Sequence, residues 1–187
     1  VQRIRRSEQS KIDEIAVGVA DCIFPEMSDL YEPDQTGLYD LVSYSVSELA
    51  LNVVQHSNSD GFLHAQVYPN AGLVRIAIAD YGIGIAKSFE ASASPHWHEG
   101  MDDLAAIHKS LEPRVSSKTH LSSGWGQPVN AGVGLTLLNG LAKVTKGDFC
   151  VFSNRGYHRM GQNDIILDAE AGLRGTVCAI TFSQQNL

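Results

Sequence analysis

The amino-acid sequence predicts an α+β domain, a two-layer sandwich in which helices cover one face of a mixed, mostly antiparallel sheet. Three observations lead to this prediction. Two amphipathic helical patterns come first, an antiparallel hairpin follows them, and strand-like runs close the chain after a long irregular segment and another helical pattern. Because helices and strands are segregated along the chain, a sandwich is favoured over repeated βαβ units.

Composition sets the broad class of the protein. The 187 residues are 43% apolar and 19% charged, which suits one well-buried globular core. We expect a single domain over residues 1–187, with a first helix and loop in 1–37 and an insert in 86–131. The net charge of −7 argues against a nucleic-acid or anionic membrane surface. No apolar run reaches the roughly 18 residues of a membrane span, and three widely spaced cysteines fit a reducing cytoplasm.

The first half of the chain predicts two helices. Apolar side chains recur at helical spacing over residues 8–24, which indicates the first helix. Pro25 and Pro33 then break the pattern. A second helix is expected from Leu38 to His56, ended by the turn from Asn58 to Gly61.

The rest of the chain predicts the sheet and two further helices. The hairpin strands and the later elements are expected at Phe62–Tyr68, Leu73–Ala79, Met101–Leu111 (helix), Val133–Lys143 (helix), Phe149–Ser153, Asp164–Leu167 and Thr176–Phe182. The segment from Ile83 to Ala131 is otherwise rich in Ser, Gly, His and Pro. Such long irregular segments are usually functional or mobile.

Three polar side chains recur at every fourth position of the second predicted helix: Glu48, Asn52 and His56. Four residues correspond to about 400° of helical turn, so the three side chains are expected along one stripe. They would offer a proton acceptor, an oxygen ligand for a hard cation such as Mg²⁺, and a donor directed at phosphate. A solvated polar stripe on an amphipathic helix is the alternative.

A carboxylate and two alternating glycines follow the second hairpin strand: Asp80, Gly82 and Gly84. The glycines permit positive φ and close approach of a ligand to the backbone. The Asp80 carboxylate could accept the N6 amine of adenine and would repel the O6 of guanine, which would select ATP over GTP. The alternative is a turn in which Asp80 caps the next segment.

A second glycine pair opens the helix that follows the insert, in the run Gly132, Val133, Gly134 and Leu135. Free backbone N–H groups at a helix N-terminus attract anions, and glycines clear room for phosphate. The alternative is a glycine-rich turn that merely leads into an amphipathic helix.

In chain order the sequence has E-x-x-x-N-x-x-x-H, D-x-G-x-G, G-x-G-L and Gly175-Thr176-Val177, and it lacks P-loop and Rossmann signatures. This series resembles the GHKL ATPase superfamily of gyrases, heat-shock chaperones, histidine kinases and MutL, over residues 38–182. The short G-x-G-L is similar to that of histidine kinase catalytic domains and anti-sigma-factor serine kinases. The resemblance implies a Bergerat-type ATP-binding fold.

The resemblance implies a role for each motif residue. Glu48 matches the general base, Asn52 the Mg²⁺ ligand, and His56 the polar residue that faces the phosphates. Asp80 matches the adenine-binding carboxylate, and Thr176 would assist it through its hydroxyl or a water molecule. The remaining binding positions that it implies are Gly82, Gly84, Gly132, Val133, Gly134 and Leu135.

The insert would then contain the nucleotide lid, before the second glycine pair. Lys118 and Arg114 are basic residues that could reach the γ-phosphate, although neither matches a family motif. Tyr81 departs from the small, polar or charged residue expected beside Asp80. The resemblance therefore makes no prediction for the ribose side of the pocket.

These roles predict a cytoplasmic, ATP- and Mg²⁺-dependent protein kinase domain that phosphorylates a His or Ser of a partner protein in bacterial-type signalling. The first histidine of the chain is His56, so the chain is expected to be at most the catalytic half of a histidine kinase. A nucleotide-gated, anti-sigma-like regulatory module with little turnover is the alternative. The sequence does not determine whether the domain forms a homodimer.

The other histidines are expected to be structural. His96 and His98 flank Trp97 without an obvious third ligand, so a surface loop is favoured over a metal site. His108 lies on the apolar side of a short predicted helix, where we expect it to be packed.

Overall fold

A computed structural model describes residues 1–25, 37–115 and 134–183. It confirms the α+β class, with a seven-stranded sheet at its centre. The strands are β1 (Gln2–Ile4), β2 (Gly61–Tyr68), β3 (Leu73–Asp80), β4 (Asp148–Ser153), β5 (Gly156–Arg159), β6 (Ile165–Ile166) and β7 (Thr176–Ser183).

The last strand of the chain lies in the middle of the sheet. The strand order is β1-β2-β3-β7-β4-β5-β6, and each of these neighbours pairs antiparallel. Ile180 of β7 is opposite Ile76 of β3 on one side and Phe149 of β4 on the other, and all three side chains are fully buried. The predicted β2–β3 hairpin is therefore joined to the C-terminal strands through β7.

The helices are α1 (Ile12–Ile23), α2 (Gly37–Asn52), α3 (Gly84–Ala91), α4 (Asp103–Ser110) and α5 (Gly134–Val144). In the part of the chain that the structure describes, none of them combines the length and apolar composition that crossing a membrane requires.

One face of the sheet carries the hydrophobic core. Along β3, Val74, Ile76 and Ile78 are buried while Arg75 between them is exposed, as the two-residue period of a half-covered strand dictates. Helical side chains from α1, α2, α4 and α5 join these strand residues in one cluster: Ile12, Ala16, Val42, Leu49, Ile107 and Leu138. The helices thus form the second layer of a sandwich.

The second predicted helix has an unexpected end. The α-helical part of α2 stops at Asn52, and Val53–Ser57 continue it as a π-helical turn. Asn58 then takes the left-handed conformation, with φ 59°, and ends the helix where the sequence predicted. Turns of π-helix inside α-helices occur frequently at functional sites.

Three short elements were not predicted. β1 and β5 have only three and four residues, too few for a periodic pattern. α3 lies within the segment predicted to be irregular, and it begins at Gly84, with φ 77°, rather than after a polar capping residue. Contacts with residues distant in the sequence set the positions of these three elements.

Gly147 lies between α5 and β4, and a substitution there tests how closely this turn packs against β7. A Cβ at residue 147 would collide with the backbone carbonyl of Thr181 in β7. We expect Gly147→Ala to lower the free energy of unfolding by about 1–3 kcal/mol, the usual cost of overpacking. Equilibrium urea denaturation measures this effect.

The matched control is Gly140→Ala, on the exposed side of α5, where an added Cβ meets no atom within 4 Å. This change should stabilise the protein by up to about 1 kcal/mol, since alanine favours helix more than glycine does. Equal unfolding midpoints for the two variants would contradict the packing described here.

Candidate functional site

Glu48 lies half-buried on α2, one turn after Tyr44, whose hydroxyl donates a hydrogen bond to its carboxylate. Burial raises the pKa of Glu48 above its usual value, and the bond from Tyr44 offsets only part of that rise. Burial and then the charge of Glu48 raise the pKa of Tyr44 to about 12. The result is a carboxylate of enhanced basicity, held by a tyrosine that stays protonated.

Asn52 follows Glu48 by one helical turn and presents an unsatisfied amide. Its Nδ2 is buried and has no hydrogen-bond partner within the described residues. Leaving a buried donor unpaired costs about 1–3 kcal/mol, so such an atom requires an explanation. A bound polar group beside the carboxamide would supply one.

The π-helical turn alters the predicted stripe. Glu48 and Asn52 keep α-helical spacing, but His56 lies within Val53–Ser57, where hydrogen bonds span five residues instead of four. The α-helical repeat on which the stripe was predicted therefore ends at Asn52, and the place of His56 on that stripe stays a prediction. The role of His56 towards phosphate remains a prediction.

Gly134, the second glycine of the pair after the insert, lies beside Glu48. Gly134 is the first residue of α5, and a Cβ there would collide with Oε2 of Glu48. The motif predicted a phosphate-facing role for this glycine, and its lack of a side chain also admits the Glu48 carboxylate. Leu135, the next residue, packs against the core. Gly132, Val133 and Lys118 lie outside the described residues.

Asp80 ends β3 and is only 8% exposed. Its Oδ1 accepts hydrogen bonds from the backbone N–H of Gly82 (2.7 Å) and of Thr176 (3.3 Å). Burial raises the pKa of Asp80, and these two bonds lower it in part. Because both bonds go to Oδ1, Oδ2 lies outside this small network.

The turn after Asp80 packs directly on the end of the α2 segment. Ile83 N–H donates to the carbonyl of Ser57 (2.9 Å), and a Cβ on Gly82 would overlap that same carbonyl. Gly82 is thus required for contact within the protein, whereas the sequence suggested contact with a ligand. Gly84 has a positive φ, 77°, a conformation that glycine permits.

Thr176 contributes through its backbone rather than through an observed side-chain contact. Its N–H holds Asp80, and the preceding Gly175, with φ 107°, lies so close that a Cβ there would overlap the Asp80 carbonyl. Tyr81 is 68% exposed beside this turn, so the bulky ring that departed from the family pattern points away from the core.

Asn154 is a structural residue of the site that the sequence analysis missed. Its Oδ1 accepts from Gly175 N–H (3.1 Å), while its Nδ2 donates to the Ile83 carbonyl (3.3 Å) and to Asp103 Oδ1 (3.0 Å). One side chain therefore joins the Asp80 turn, the start of β7 and the start of α4. The run Asn154-Arg155-Gly156 is typical of a hairpin turn, and that signal could have identified it.

The prediction that His108 is packed is wrong. This side chain is exposed in the last turn of α4, and its Nε2 hydrogen-bonds Asp164 Oδ2 at 2.6 Å. The partner is 56 residues away in sequence, so helical spacing alone could not reveal it.

The chain was compared with known proteins, and it matches no family model and no curated protein.

The pKa of Glu48 predicts a pH-dependent stability. Burial raises its folded-state pKa, so protonated Glu48 stabilises the fold fully below the unfolded-state pKa, and this contribution is lost as pH rises through the folded-state pKa. Glu48→Gln removes the charged form while keeping a hydrogen-bond acceptor for Tyr44. We expect this variant to be more stable than wild type at about pH 8, with the difference shrinking towards about pH 4, near the ordinary pKa of a solvent-exposed glutamate.

Urea denaturation at several pH values measures this difference. Glu90→Gln, at an exposed position of α3, is the matched control and should show no such gain. A Glu48→Gln variant that loses stability at every pH would show that the carboxylate charge is stabilised in the fold.

Proposed function

We propose that this domain binds Mg²⁺·ATP and transfers the γ-phosphate to a His or Ser of a partner protein. The observation that carries the proposal is the contact of Gly134 with the Glu48 carboxylate, at the N-terminus of α5. It joins two sequence motifs that lie far apart in the chain. A basic carboxylate beside a helix N-terminus brings a proton acceptor to a place that favours phosphate.

The base side of the proposed pocket is formed by the Asp80 turn. Oδ1 of Asp80 is engaged by Gly82 and Thr176, which fixes the orientation of the carboxylate. Oδ2 is then the oxygen that accepts the N6 amine of adenine. Guanine would present an acceptor to the same oxygen, so the arrangement favours ATP over GTP.

Both sides of the pocket are supported by one helical segment. Glu48 and Asn52 project from α2, and Ser57, at the end of its π-helical turn, holds the Asp80 turn through Ile83. The distance between the base side and the phosphate side is therefore set by the length of this segment. A rigid support of this kind is what phosphoryl transfer requires, since its catalysis is mainly positioning and charge neutralisation.

Asn52 is the residue that would hold Mg²⁺, because a carboxamide oxygen is a ligand this ion accepts, with phosphate oxygens and water completing its coordination. Its unpaired Nδ2 is a donor that calls for a hydrogen-bond acceptor at this place, which a phosphate oxygen beside the ion would supply. When bound, Mg²⁺ neutralises charge that develops on the phosphate oxygens. Glu48 would accept the proton that an attacking hydroxyl loses, or the N–H proton from the other ring nitrogen of an attacking imidazole, and its raised pKa suits that task.

Nucleotide selectivity tests the base side. Calorimetric titration of the full chain should show saturable binding of Mg²⁺·ATP and none of Mg²⁺·GTP. Asp80→Asn should weaken ATP binding, because its amide nitrogen, placed at the Oδ2 position, would bring a second donor against the N6 amine of adenine. Each lost or mismatched hydrogen bond of this kind costs about 1–3 kcal/mol, roughly a 5- to 150-fold weaker affinity.

Asp168→Asn makes the same change of charge at an exposed position and should bind ATP as wild type does. If the folded wild type binds neither nucleotide, or if Asp80→Asn binds ATP equally well, the proposed base side is wrong.

Glu48→Gln separates a kinase from a regulatory module that only binds nucleotide. Removal of a general base typically lowers the rate about 10²- to 10⁴-fold. We expect this variant to keep ATP affinity and to lose transfer of label from γ-labelled ATP to acceptor proteins, followed together with ATP hydrolysis. Equal turnover in wild type and variant would exclude Glu48 as the base, and binding without turnover in wild type would favour the regulatory module.

A further inference from the structure

Three side chains with metal-ligating atoms meet beside the outer strands, on elements that the proposed nucleotide site does not use for catalysis. His108 lies in the last turn of α4, His158 on β5, and Asp164 just before β6. The Nε2 of His108 lies 2.6 Å from Asp164 Oδ2, and the Nδ1 of His158 lies 2.7 Å from Asp164 Oδ1. All the ligand atoms of this His108–His158–Asp164 cluster fall within 4.8 Å of one another.

The backbone brings these side chains together for separate reasons. Antiparallel pairing of β5 with β6 sets Tyr157 opposite Ile165, so His158 and Asp164 are the next cross-strand neighbours. His108 arrives from α4. The start of that helix is fixed by Asp103, whose carboxylate accepts from Asn154 Nδ2 (3.0 Å) and from the backbone N–H of Arg155 (3.3 Å).

The segment that carries Asp164 is also held on its far side. Arg155 Nε donates to the carbonyl of Leu167 (2.8 Å), and Leu167 N–H donates to the carbonyl of Arg155 (2.8 Å). Hydrogen bonds therefore fix the backbone at the start of α4, which carries His108, and at Leu167, just after the segment that carries Asp164. A preorganised set of ligands is a requirement for a metal site.

The mutual orientation of the rings directs two imidazole nitrogens at one carboxylate. The two imidazole planes are nearly perpendicular, at 88°, with centroids 5.7 Å apart, and each ring addresses a different oxygen of one carboxylate. Around a tetrahedral Zn²⁺ with bonds of about 2.0–2.1 Å, ligand atoms lie about 3.3 Å apart. The two hydrogen-bonded pairs of ligand atoms, at 2.6 and 2.7 Å, are closer than that, so side-chain rotations have to move each nitrogen away from its carboxylate oxygen to admit an ion.

We propose that His108, His158 and Asp164 form a binding site for a divalent transition metal, with Zn²⁺ as its best occupant. Two imidazole nitrogens and one carboxylate oxygen are ligands that Zn²⁺ takes, whereas Mg²⁺ and Ca²⁺ favour all-oxygen sites. His108 and Asp164 are exposed and His158 is half-buried, so an ion can enter from solvent. Water completes the coordination in the fourth position.

Metal binding replaces the two hydrogen bonds. Each ring nitrogen now bonded to Asp164 gives up its N–H and donates a lone pair to the ion, and the proton passes to the other ring nitrogen or to solvent. One carboxylate oxygen of Asp164 supplies the third bond. The ion would then tie the end of α4 to the β5–β6 edge of the sheet.

The test is titration of Zn²⁺ alone, against a competing chelator, into the full chain without a polyhistidine tag or nucleotide. We expect one high-affinity Zn²⁺ per chain, a rise in melting temperature with Zn²⁺, and tetrahedral absorption bands when Co²⁺ replaces it. His158→Ala and Asp164→Asn should each weaken Zn²⁺ binding by at least about 10-fold, the lower limit for loss of even an outer-sphere partner.

His64→Ala is the matched control, since His64 is an exposed histidine on β2, distant in the sheet order from β5. It should keep wild-type affinity and the Co²⁺ spectrum. Circular dichroism checks that each variant folds. If one does not, His108→Ala takes its place, because His108 is the more exposed of the two histidines in the cluster. Absence of Zn²⁺ binding, or equal binding by all variants, would overturn the proposal, and neither result depends on ATP binding.

Discussion

A single buried oxygen, Oδ1 of Asp80, determines how the central parts of this structure fit together. It binds the N–H groups of Gly82 and Thr176, and so fixes the turn after β3 to the first residue of β7. Since β7 lies between the hairpin and β4, this link spans the middle of the sheet. The same turn is bonded to Ser57 through the N–H of Ile83, so it also touches the end of the helical segment that carries Glu48. Burial of this carboxylate is costly, and the two N–H groups offset part of that cost.

Much of the fold could be predicted because its main elements carry local signals. The β2–β3 hairpin, α4 and α5 have clear periodicity and turn residues, and they appear close to their expected bounds. The elements that were missed depend on distant partners. β1 is defined by its pairing with Phe62 and its neighbours, and the π-helical end of α2 leaves no mark on a pattern that only distinguishes periods of 2.0 and 3.6.

The candidate site was predictable only as separate motifs. Sequence order placed Glu48, Asp80 and Gly134 in named roles, yet the contact between Gly134 and Glu48 exists only after α5 has packed beside α2. The contact of Gly82 with the Ser57 carbonyl likewise joins residues far apart in the sequence, and no motif announces it. Asn154 lies in a hairpin-turn signal, but its bond to Asp103 and the bond of Asp164 to His108 join residues more than 50 positions apart, which no local pattern reveals.

The hydrogen bonds of Asn154 have a consequence for the insert. Its amide group is shared between Asp103 at the start of α4 and the backbone around the Asp80 turn, through Ile83 and Gly175. A carboxamide is planar and rigid, so Asn154 cannot turn to follow a displaced α4 without weakening its bonds to that turn. The start of α4 is thus tied to the Asp80 turn through one side chain, and any change in chain length between Ile83 and Asp103 has to leave the distance between those two residues unchanged.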